Sequence, residues 1–296
     1  MKRPLFLAPL RGVTIRCFRE TFARELQEAG FSEALTPFVS AMAGVDPLRD
    51  RELKAPLSPD ALPITPQFIG KDPVALRAAL RRIKGAGFKT ADLNCGCPFP
   101  MVRNKFRGSG ILRTPDVLRA MMEVGCEEMG EGNFSIKARL GVERTDELLS
   151  LMPLINAFPL RFLTVHTRTA KEMYEGACHH DAFSRLLEVS RVPLVLNGDL
   201  PLPVTDEALA FLPKGRMPFA LMIGRAFVRS LGMGEKSREL SRRYLEASVA
   251  ELSGDAPVLG RMKELLSYWK DLPAWWRTWQ VVKICRTVDE LRQILR

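Results

Sequence analysis

Short apolar runs alternate with amphipathic stretches along the first three quarters of the chain. Eight runs have the length and composition of buried β-strands, at residues 5–10, 34–40, 64–70, 90–96, 134–141, 162–168, 193–199 and 220–225. Between several of them lie helical patterns, at 73–85, 115–129 and 182–190. Asp72 and Pro73 provide the N-cap and the first residue of the first of these helices. Eight strand–helix repeats predict an α/β fold of the (β/α)8 TIM-barrel type.

The strand pattern stops after Arg225. From about residue 235 onward the chain has the periodicity of helices, interrupted at 254–257 and at Pro273. The sequence therefore predicts two units: a catalytic barrel over residues 1–232 and a C-terminal helical domain over residues 233–296. Glycines around Met233 provide the connection.

Composition narrows the class of protein. The chain has 296 residues and no run of about eighteen apolar residues, so we expect no membrane span. The N-terminus enters a strand without the pattern of a secretory signal, and six scattered cysteines suit a reducing compartment. We therefore expect a cytoplasmic protein. We also expect a monomer. Cys95 and Cys97 form only a C-x-C, without a second pair at zinc spacing, so no metal is expected.

The charge is strongly basic, with 44 Lys and Arg against 34 Asp and Glu and a formal net charge of +10. Half of that excess lies between Arg225 and Arg296, which contain 14 basic and 9 acidic residues and all four tryptophans. A basic surface favours a polyanionic partner such as nucleic acid. A solvated helix face and core tryptophans would produce the same pattern, so charge alone leaves both interpretations open.

The chemistry centres on Cys97. A short apolar strand from Thr90 runs into a Gly-Cys-Pro turn, and Pro98 must end the strand, so the Cys97 thiol lies at its C-terminal end. Enzymes of this architecture keep their reactive groups at that end of the sheet. An ordinary thiol pKa of ~8.5 leaves cysteine protonated near neutrality and able to donate a proton. Cys95 is expected to pack beneath the turn.

Seven of the predicted strands end in polar or glycine-containing motifs. They are Ala8-Pro9-Leu10-Arg11-Gly12-Val13-Thr14, Gln67-Phe68-Ile69-Gly70, Asn94-Cys95-Gly96-Cys97-Pro98, Lys137-Ala138-Arg139-Leu140-Gly141, His166-Thr167-Arg168-Thr169, Asn197-Gly198-Asp199 and Met222-Ile223-Gly224-Arg225. In a barrel these ends meet at one rim, which would hold a sizeable polar cofactor. Gly198 and Gly224 follow strands seven and eight, where barrels commonly bind phosphate.

This ordered set of motifs resembles the dihydrouridine synthase family. The resemblance implies an FMN-dependent enzyme that reduces uridine to 5,6-dihydrouridine in RNA, usually tRNA, with NADPH as reductant. Hydride from reduced FMN would add to C6 of the uracil, and Cys97 would supply the proton to C5. The stretch from Arg261 to Tyr268 is similar to the bacterial C-type subgroup, which modifies position 16 of the tRNA D-loop.

The resemblance also implies roles for individual residues. Those implied to contact FMN are Pro9, Leu10, Arg11, Gln67, Lys137, His166, Arg168, Asn197, Gly198, Asp199, Gly224 and Arg225. Asn94 and Arg139 are expected to contact the target nucleotide. For RNA binding by the helical domain we expect a common basic surface formed by Arg261, Lys263, Lys283 and Arg286.

Three positions depart from the family pattern: Arg11, Ile15 and Pro37 stand where small or acidic residues are usual. Two alternatives to the RNA-modifying enzyme follow from the sequence. One is a small-molecule flavin oxidoreductase of the dihydroorotate dehydrogenase type, which would leave the basic C-terminal region without a role. The other is a catalytically inactive RNA-binding homologue.

Overall fold

A computed structural model describes residues 3–54 and 61–296. Its ten strands form one parallel sheet. They are β1 (Leu5–Leu7), β2 (Phe31–Leu35), β3 (Val39–Ser40), β4 (Ile64–Thr65), β5 (Gln67–Ile69), β6 (Ala91–Cys95), β7 (Phe134–Gly141), β8 (Leu163–Thr169), β9 (Leu194–Asn197) and β10 (Ala220–Ile223).

The sheet closes into a barrel. β2 and β3 are two parts of one strand of the barrel, and β4 and β5, separated by Pro66, are two parts of the next. β2 pairs with β4 while β3 pairs with β5, and the remaining strands pair in chain order back to β1. The ten strand segments therefore make up the eight barrel strands predicted from the sequence, and the TIM-barrel expectation is confirmed.

Twelve α-helices accompany the strands in the described residues. They are α1 (Arg16–Thr21), α2 (Ala23–Glu28), α3 (Pro73–Gly85), α4 (Pro100–Arg103), α5 (Pro115–Met129), α6 (Glu147–Ile155), α7 (His180–Val189), α8 (Arg225–Ser230), α9 (Ser237–Glu251), α10 (Asp255–Ser267), α11 (Trp276–Val282) and α12 (Val288–Ile294). Short 3₁₀ segments lie at Pro47–Arg49, Arg51–Leu53, Gly108–Arg113 and Glu207–Leu209.

Helix α3 shows how the sequence encodes these elements. The Asp72 carboxylate accepts a hydrogen bond of 2.9 Å from the Val74 amide and caps the helix, as predicted. Its buried residues recur at helical spacing: Ala75, Leu76, Ala79, Leu80 and Ile83. The helix ends before Gly87, whose φ of 95° reverses the chain toward β6.

The barrel interior has two unlike halves. One is an apolar cluster made by Phe6, Ala8, Leu35, Phe162, Val195, Ala220 and Met222. The other consists of buried polar residues on neighbouring strands, among them Gln67, Asp92 and Ser135. Because side chains alternate along a strand, the same inward face that buries Asp92 and Ser135 brings Asn94 and Lys137 to the rim.

The C-terminal helices share a core with the barrel. Tyr244 of α9 packs against Phe18 and Phe22, with ring centroids 6.0 and 5.4 Å apart. Trp269 donates its indole N–H to the Val228 carbonyl at 2.7 Å, and a Cβ at Gly232 would lie 2.4 Å from its ring. Trp269 and Trp275 are buried, whereas Trp276 is half exposed. A unit boundary at residue 232 stays a prediction.

No helix in the described ranges is both long and apolar enough to cross a membrane.

Candidate active site

A cavity of about 350 Å³ opens at the C-terminal ends of the strands. It brings together thirteen of the residues singled out from the sequence: Pro9, Leu10, Arg11, Asn94, Cys97, Lys137, Arg139, His166, Asn197, Gly198, Asp199, Gly224 and Arg225. Their side chains come from six different strand ends, as the barrel topology dictates. The volume lies in the range of small-molecule and cofactor sites.

The turn that presents Cys97 is held from both sides. Asn94 Oδ1 accepts hydrogen bonds from the backbone amides of Gly96 (3.1 Å) and Cys97 (2.8 Å). The Cys97 carbonyl accepts from the Ser109 hydroxyl at 2.9 Å. Gly108 adopts a φ of 55°, and a Cβ there would lie 2.7 Å from Cys97 Cβ. Only glycine fits beneath the turn at this position.

The Cys97 side chain lines the cavity but is only 7% exposed. Burial raises the pKa of its thiol, while the charges of Arg11 and Arg139 act in the opposite direction. The thiol is therefore protonated at neutral pH, and two cations stand near the thiolate that proton donation would leave. Cys95 is fully buried, and desolvation raises its pKa well above the usual value.

A chain of buried hydrogen bonds supports Asn94 from beneath. Asn94 Nδ2 donates to Gln67 Oε1 at 2.7 Å, and Gln67 Nε2 donates to Asp92 Oδ1 at 2.8 Å. The Ser135 hydroxyl donates to Asp92 Oδ2 at 2.7 Å. Each amide is thereby fixed in one orientation, because the Asp92 carboxylate can only accept when ionised. Burial raises the pKa of Asp92 to about 7.

Gln67 thus lies behind the cavity wall. The sequence placed it in direct contact with a cofactor, but it is not among the residues lining the cavity, and its exposed fraction is 0%. Both ends of its amide are used by Asn94 and Asp92.

Lys137 is a partly buried amine that lines the cavity. Its Nζ donates to Asn197 Oδ1 at 2.9 Å, and the Asn197 amide is fixed in turn by donating to the Met222 carbonyl at 2.8 Å. Burial and the neighbouring Arg139 charge lower the pKa of Lys137 to about 7, although the negative charge of Asp92 acts to raise it. An anionic group entering the cavity would favour the protonated form.

His166 is neutral at physiological pH. Burial lowers its pKa well below the ordinary value, and the charges of Arg139 and Lys137 add to the effect. Its Nε2 lies 3.4 Å from Nη1 of Arg168, which can only donate, so the ring proton resides on Nδ1.

Arg168 also lies behind the wall. It donates to the carbonyls of Glu175 (3.1 Å) and Gly176 (2.6 Å) and to the Asp199 carboxylate. Asp199 simultaneously accepts from Arg225, so one carboxylate joins two guanidinium groups. Burial by itself would raise the pKa of Asp199. The hydrogen bond from Arg168 and the charge of Arg225 outweigh burial and hold that pKa below its usual value.

Gly198 and Gly224 line this end of the cavity. A Cβ at Gly198 would lie 2.4 Å from Thr167 Oγ1, and one at Gly224 would lie 3.0 Å from Ala8 Cβ. Packing alone therefore requires glycine at Gly198.

Arg139 connects the Cys97 turn to the loop that follows β8. Its guanidinium donates to Gly96 O (3.0 Å), Thr169 O (2.8 Å) and Met173 O (2.6 Å). Burial lowers its pKa to about 10.

Sequence reasoning missed Tyr174, which lines the cavity. The guanidinium carbons of Arg139 and Arg225 lie 5.1 and 5.5 Å from its ring centroid. The only signal in the sequence is a tyrosine in the loop between β8 and α7, in a chain that has three tyrosines. Phe38 and Phe99, which also line the cavity, were likewise not identified.

The four basic residues of the helical region are placed differently from one another. Arg261 forms an ion pair with Glu251, and its side chain is 10% exposed. Lys263 donates to the Cys285 carbonyl at 2.8 Å. Lys283 and Arg286 are exposed. A common basic surface for all four stays a prediction, and Arg261 is the member least available to a partner.

Most of this chain matches a known protein family. The family model described as dihydrouridine synthase (Dus) matches residues 6–253. Curated relatives include tRNA-dihydrouridine synthase B of Proteus vulgaris (26% identical) and of Vibrio cholerae (27%), each covering 76% of this chain and 68% of the relative. The enzyme of the same name from Salmonella typhimurium is 29% identical over 76% of this chain and 68% of its own length. Assignment to the C-type subgroup stays a prediction.

Solved structures show the same fold. A morphinone reductase variant in complex with tetrahydroNAD superimposes with a TM-score of 0.52 at 11% identity, covering 76% of this chain and 84% of that one. The old yellow enzyme homologue of Zymomonas mobilis gives a TM-score of 0.51 at 14% identity, with coverage of 82% and 88%. With the match to the family model over most of its length, this chain belongs to the dihydrouridine synthase family.

Proposed function

We propose that this protein is an FMN-dependent tRNA-dihydrouridine synthase that uses NADPH as reductant. The observation that carries the proposal is the buried, protonated Cys97 thiol in a cavity lined by four basic side chains, Arg11, Lys137, Arg139 and Arg225, and one acidic side chain, Asp199. Such a lining suits an anionic cofactor and the phosphates around a target nucleotide. The curated relatives carry the matching name.

The residues present fit FMN. Lys137 lines the cavity and uses one N–H for Asn197, so it keeps donors for a bound group, and neutral His166, which also lines the cavity, carries one ring N–H. Arg225 supplies a cation at the end of the cavity lined by Gly198 and Gly224, which suits the phosphate. Bound FMN, once reduced, supplies the hydride that saturates the C5=C6 bond of uracil.

The remaining chemistry belongs to side chains of this chain. Cys97 holds the proton that C5 of the uracil needs: the S–H bond breaks, the C–H bond forms and a thiolate remains. Arg11 and Arg139 stabilise that thiolate, since their charges favour the ionised form. Asn94 fixes the turn and keeps the thiol at the cavity wall. The uridine must leave its base stack to enter a cavity at the barrel rim.

Residues 233–296 are proposed as the RNA-binding unit, with exposed Lys283 and Arg286 as phosphate contacts. A role in tRNA modification would place the protein in the cytoplasm.

Nucleoside mass spectrometry of tRNA from a deletion strain tests the proposal. We expect loss of dihydrouridine at one or a few positions and its restoration by purified protein with FMN and NADPH. Unchanged dihydrouridine in the deletion strain, together with tRNA that purified protein leaves unmodified, would contradict the proposal. A yellow protein that binds tRNA without converting uridine would instead identify the inactive homologue. Family membership counts against a dihydroorotate dehydrogenase-like activity.

A further inference from the structure

The segment directly after Cys97 begins at the cavity and leads away from it. We call residues 99–107, which include α4, the post-cysteine loop. Phe99 at its start lines the cavity. Its end is joined to the Cys97 turn, because Gly108 packs against Cys97 and the Ser109 hydroxyl donates to the Cys97 carbonyl. Any ligand bound on this loop would therefore lie beside the reacting thiol.

The loop exposes large apolar side chains. Phe99 is 40% exposed, Met101 74% and Phe106 45%. A single exposed apolar residue is ordinary, but three within eight positions of a loop that begins at a cavity indicate a binding surface.

The charge of this region has one sign. Residues 93–115 contain Arg103, Lys105, Arg107 and Arg113 and no Asp or Glu. Arg113 pairs with Glu143, whereas Arg103, Lys105 and Arg107 make no ion pair with any residue in the described part of the chain. Elsewhere many exposed arginines of this chain do pair, as Arg24 does with Glu28 and Arg82 does with Asp46. Unpaired cations beside exposed aromatic rings suit a polyanion that carries planar groups able to stack on those rings.

Phe106 is held outward by its backbone. Its φ of 55° lies in the left-handed region, which is unfavourable for a bulky residue. The turn that imposes it is closed by a 3.0 Å hydrogen bond from the Phe106 amide to the Arg103 carbonyl. The ammonium of Lys71, from the loop after β5, lies 5.7 Å from the ring centroid. The ring is thus presented at the rim beside a cation.

We propose that the post-cysteine loop binds single-stranded RNA next to the target uridine. The rings of Phe99 and Phe106 stack on neighbouring bases, while Arg103 and Lys105 bind the phosphates that join them. The inference rests on the proposed function and names a contact surface on the barrel in addition to the helical domain. A protein partner is disfavoured because an acidic peptide would satisfy the cations but would leave the aromatic faces without flat groups to stack on.

The test compares tRNA affinity of the full protein, without reductant, across a series of salt concentrations. For the Arg103→Ala/Lys105→Ala double variant we expect a weaker Kd and a slope of log affinity against log salt that is lower by about 0.7 for each phosphate that is no longer neutralised. Phe99→Leu keeps an apolar side chain but removes the ring, and we expect about tenfold weaker binding with the parental salt slope.

The matched control is Lys89→Ala/Arg191→Ala. Both residues are exposed, and they precede β6 and β9, so they lie at the opposite end of the barrel. This control changes the net charge equally and should retain the parental Kd and slope. Parental affinity and slope in Arg103→Ala/Lys105→Ala, or an equal loss in the control, would overturn the proposal.

Conversion of uridine by the parental protein is measured in parallel. If the parent forms dihydrouridine and the loop variant still binds as the parent does, the loop proposal fails and the proposed function stands. If the parent binds tRNA through the loop but forms no dihydrouridine, the proposed function fails and the loop remains an RNA surface. Flavin content and the rate of flavin reduction by NADPH should be parental in Arg103→Ala/Lys105→Ala, since neither residue lines the cavity.

Discussion

Asn94 Oδ1 accepts a hydrogen bond from the backbone N–H of Cys97 at 2.8 Å, and this bond joins the Cys97 turn to the polar half of the barrel interior. Behind Asn94, the Gln67 amide and the Asp92 carboxylate continue the chain of bonds into the core. The position of the thiol is therefore set by residues on β5 and β6, in addition to the turn itself. Buried groups in such a network are held less firmly in position when one partner is removed.

Replacing Cys97 with alanine should abolish most product formation. A positioned general acid contributes about 10² to 10⁴-fold in rate, and we expect a loss of kcat in that range with FMN content unchanged. Cys95→Ala is the matched control, because Cys95 lies two residues away, fully buried and outside the cavity lining. Single-turnover dihydrouridine formation measures both variants. Equal losses in the two would mean that the wrong thiol has been assigned.

Gly108→Ala should disturb the site more than an equally strained glycine replacement elsewhere. A Cβ at Gly108 meets Cys97 Cβ at 2.7 Å, whereas one at Gly132 meets nothing within 4 Å, although both glycines have positive φ. Left-handed backbone alone costs roughly 1–2 kcal/mol for alanine. We expect Gly132→Ala to lose about that much unfolding free energy with normal activity, and Gly108→Ala to lose more, together with activity.

Denaturant unfolding and steady-state kinetics on both glycine variants separate the two effects. Full activity in Gly108→Ala would show that the Cys97 turn tolerates displacement.

The sequence predicted the barrel because its signals are local. Asp72 and Pro73 begin α3 at the expected residue, and the eight apolar runs coincide with the eight strands of the barrel. Strand ends of a parallel barrel must share one rim, so Cys97, Lys137 and His166 were brought together without any long-range information.

What the sequence did not predict depends on side-chain direction and on partners distant along the chain. Whether Gln67 and Arg168 face the cavity or support its wall depends on hydrogen bonds to Asp92 and Asp199, which lie 25 and 31 residues away. Tyr174 lies in a loop without periodicity, and its place beside Arg139 and Arg225 follows only from the path of that loop. The ion pair of Arg261 with Glu251 likewise joins two different helices.

Lys137→Ala should weaken FMN binding or slow flavin reduction without unfolding the protein. The substitution removes a basic group from the cavity wall, at a position where burial already lowers its pKa and where its charge would act strongly on a bound anion. We expect lower FMN occupancy after purification or slower flavin reduction by NADPH. The absorbance spectrum and stopped-flow reduction measure these effects. Parental occupancy combined with parental reduction kinetics would remove Lys137 from the cofactor site.

Asp92 should make stability depend on pH in a defined direction. Its pKa is raised to about 7 in the folded protein, against about 3.9 when unfolded, so the native state binds more protons between those values. Its contribution to unfolding free energy is therefore fully present below about pH 4 and is lost as the pH rises through 7. Asn in place of Asp92 keeps an acceptor for Gln67 and cannot titrate.

Urea unfolding of the apoprotein and of Asp92→Asn at pH 5 and pH 8 measures the difference. We expect the parental protein to lose stability relative to Asp92→Asn between these two pH values. A constant difference would show that Asp92 does not titrate in this range.

Arg261 and the exposed pair Lys283 and Arg286 should respond differently to neutralisation. Arg261→Ala leaves Glu251 without its partner in a largely buried position, and we expect a loss of about 1–3 kcal/mol of unfolding free energy with little change in the salt slope of tRNA binding. Lys283→Ala/Arg286→Ala should leave the melting temperature unchanged and lower that slope by about 0.7 to 0.9 for each phosphate that the variant no longer neutralises. Thermal unfolding and tRNA titrations on the same samples give both quantities. A lower salt slope in Arg261→Ala at unchanged stability would assign Arg261 to the RNA surface. Parental tRNA binding by Lys283→Ala/Arg286→Ala would show that the basic excess of the helical region is a solvated face.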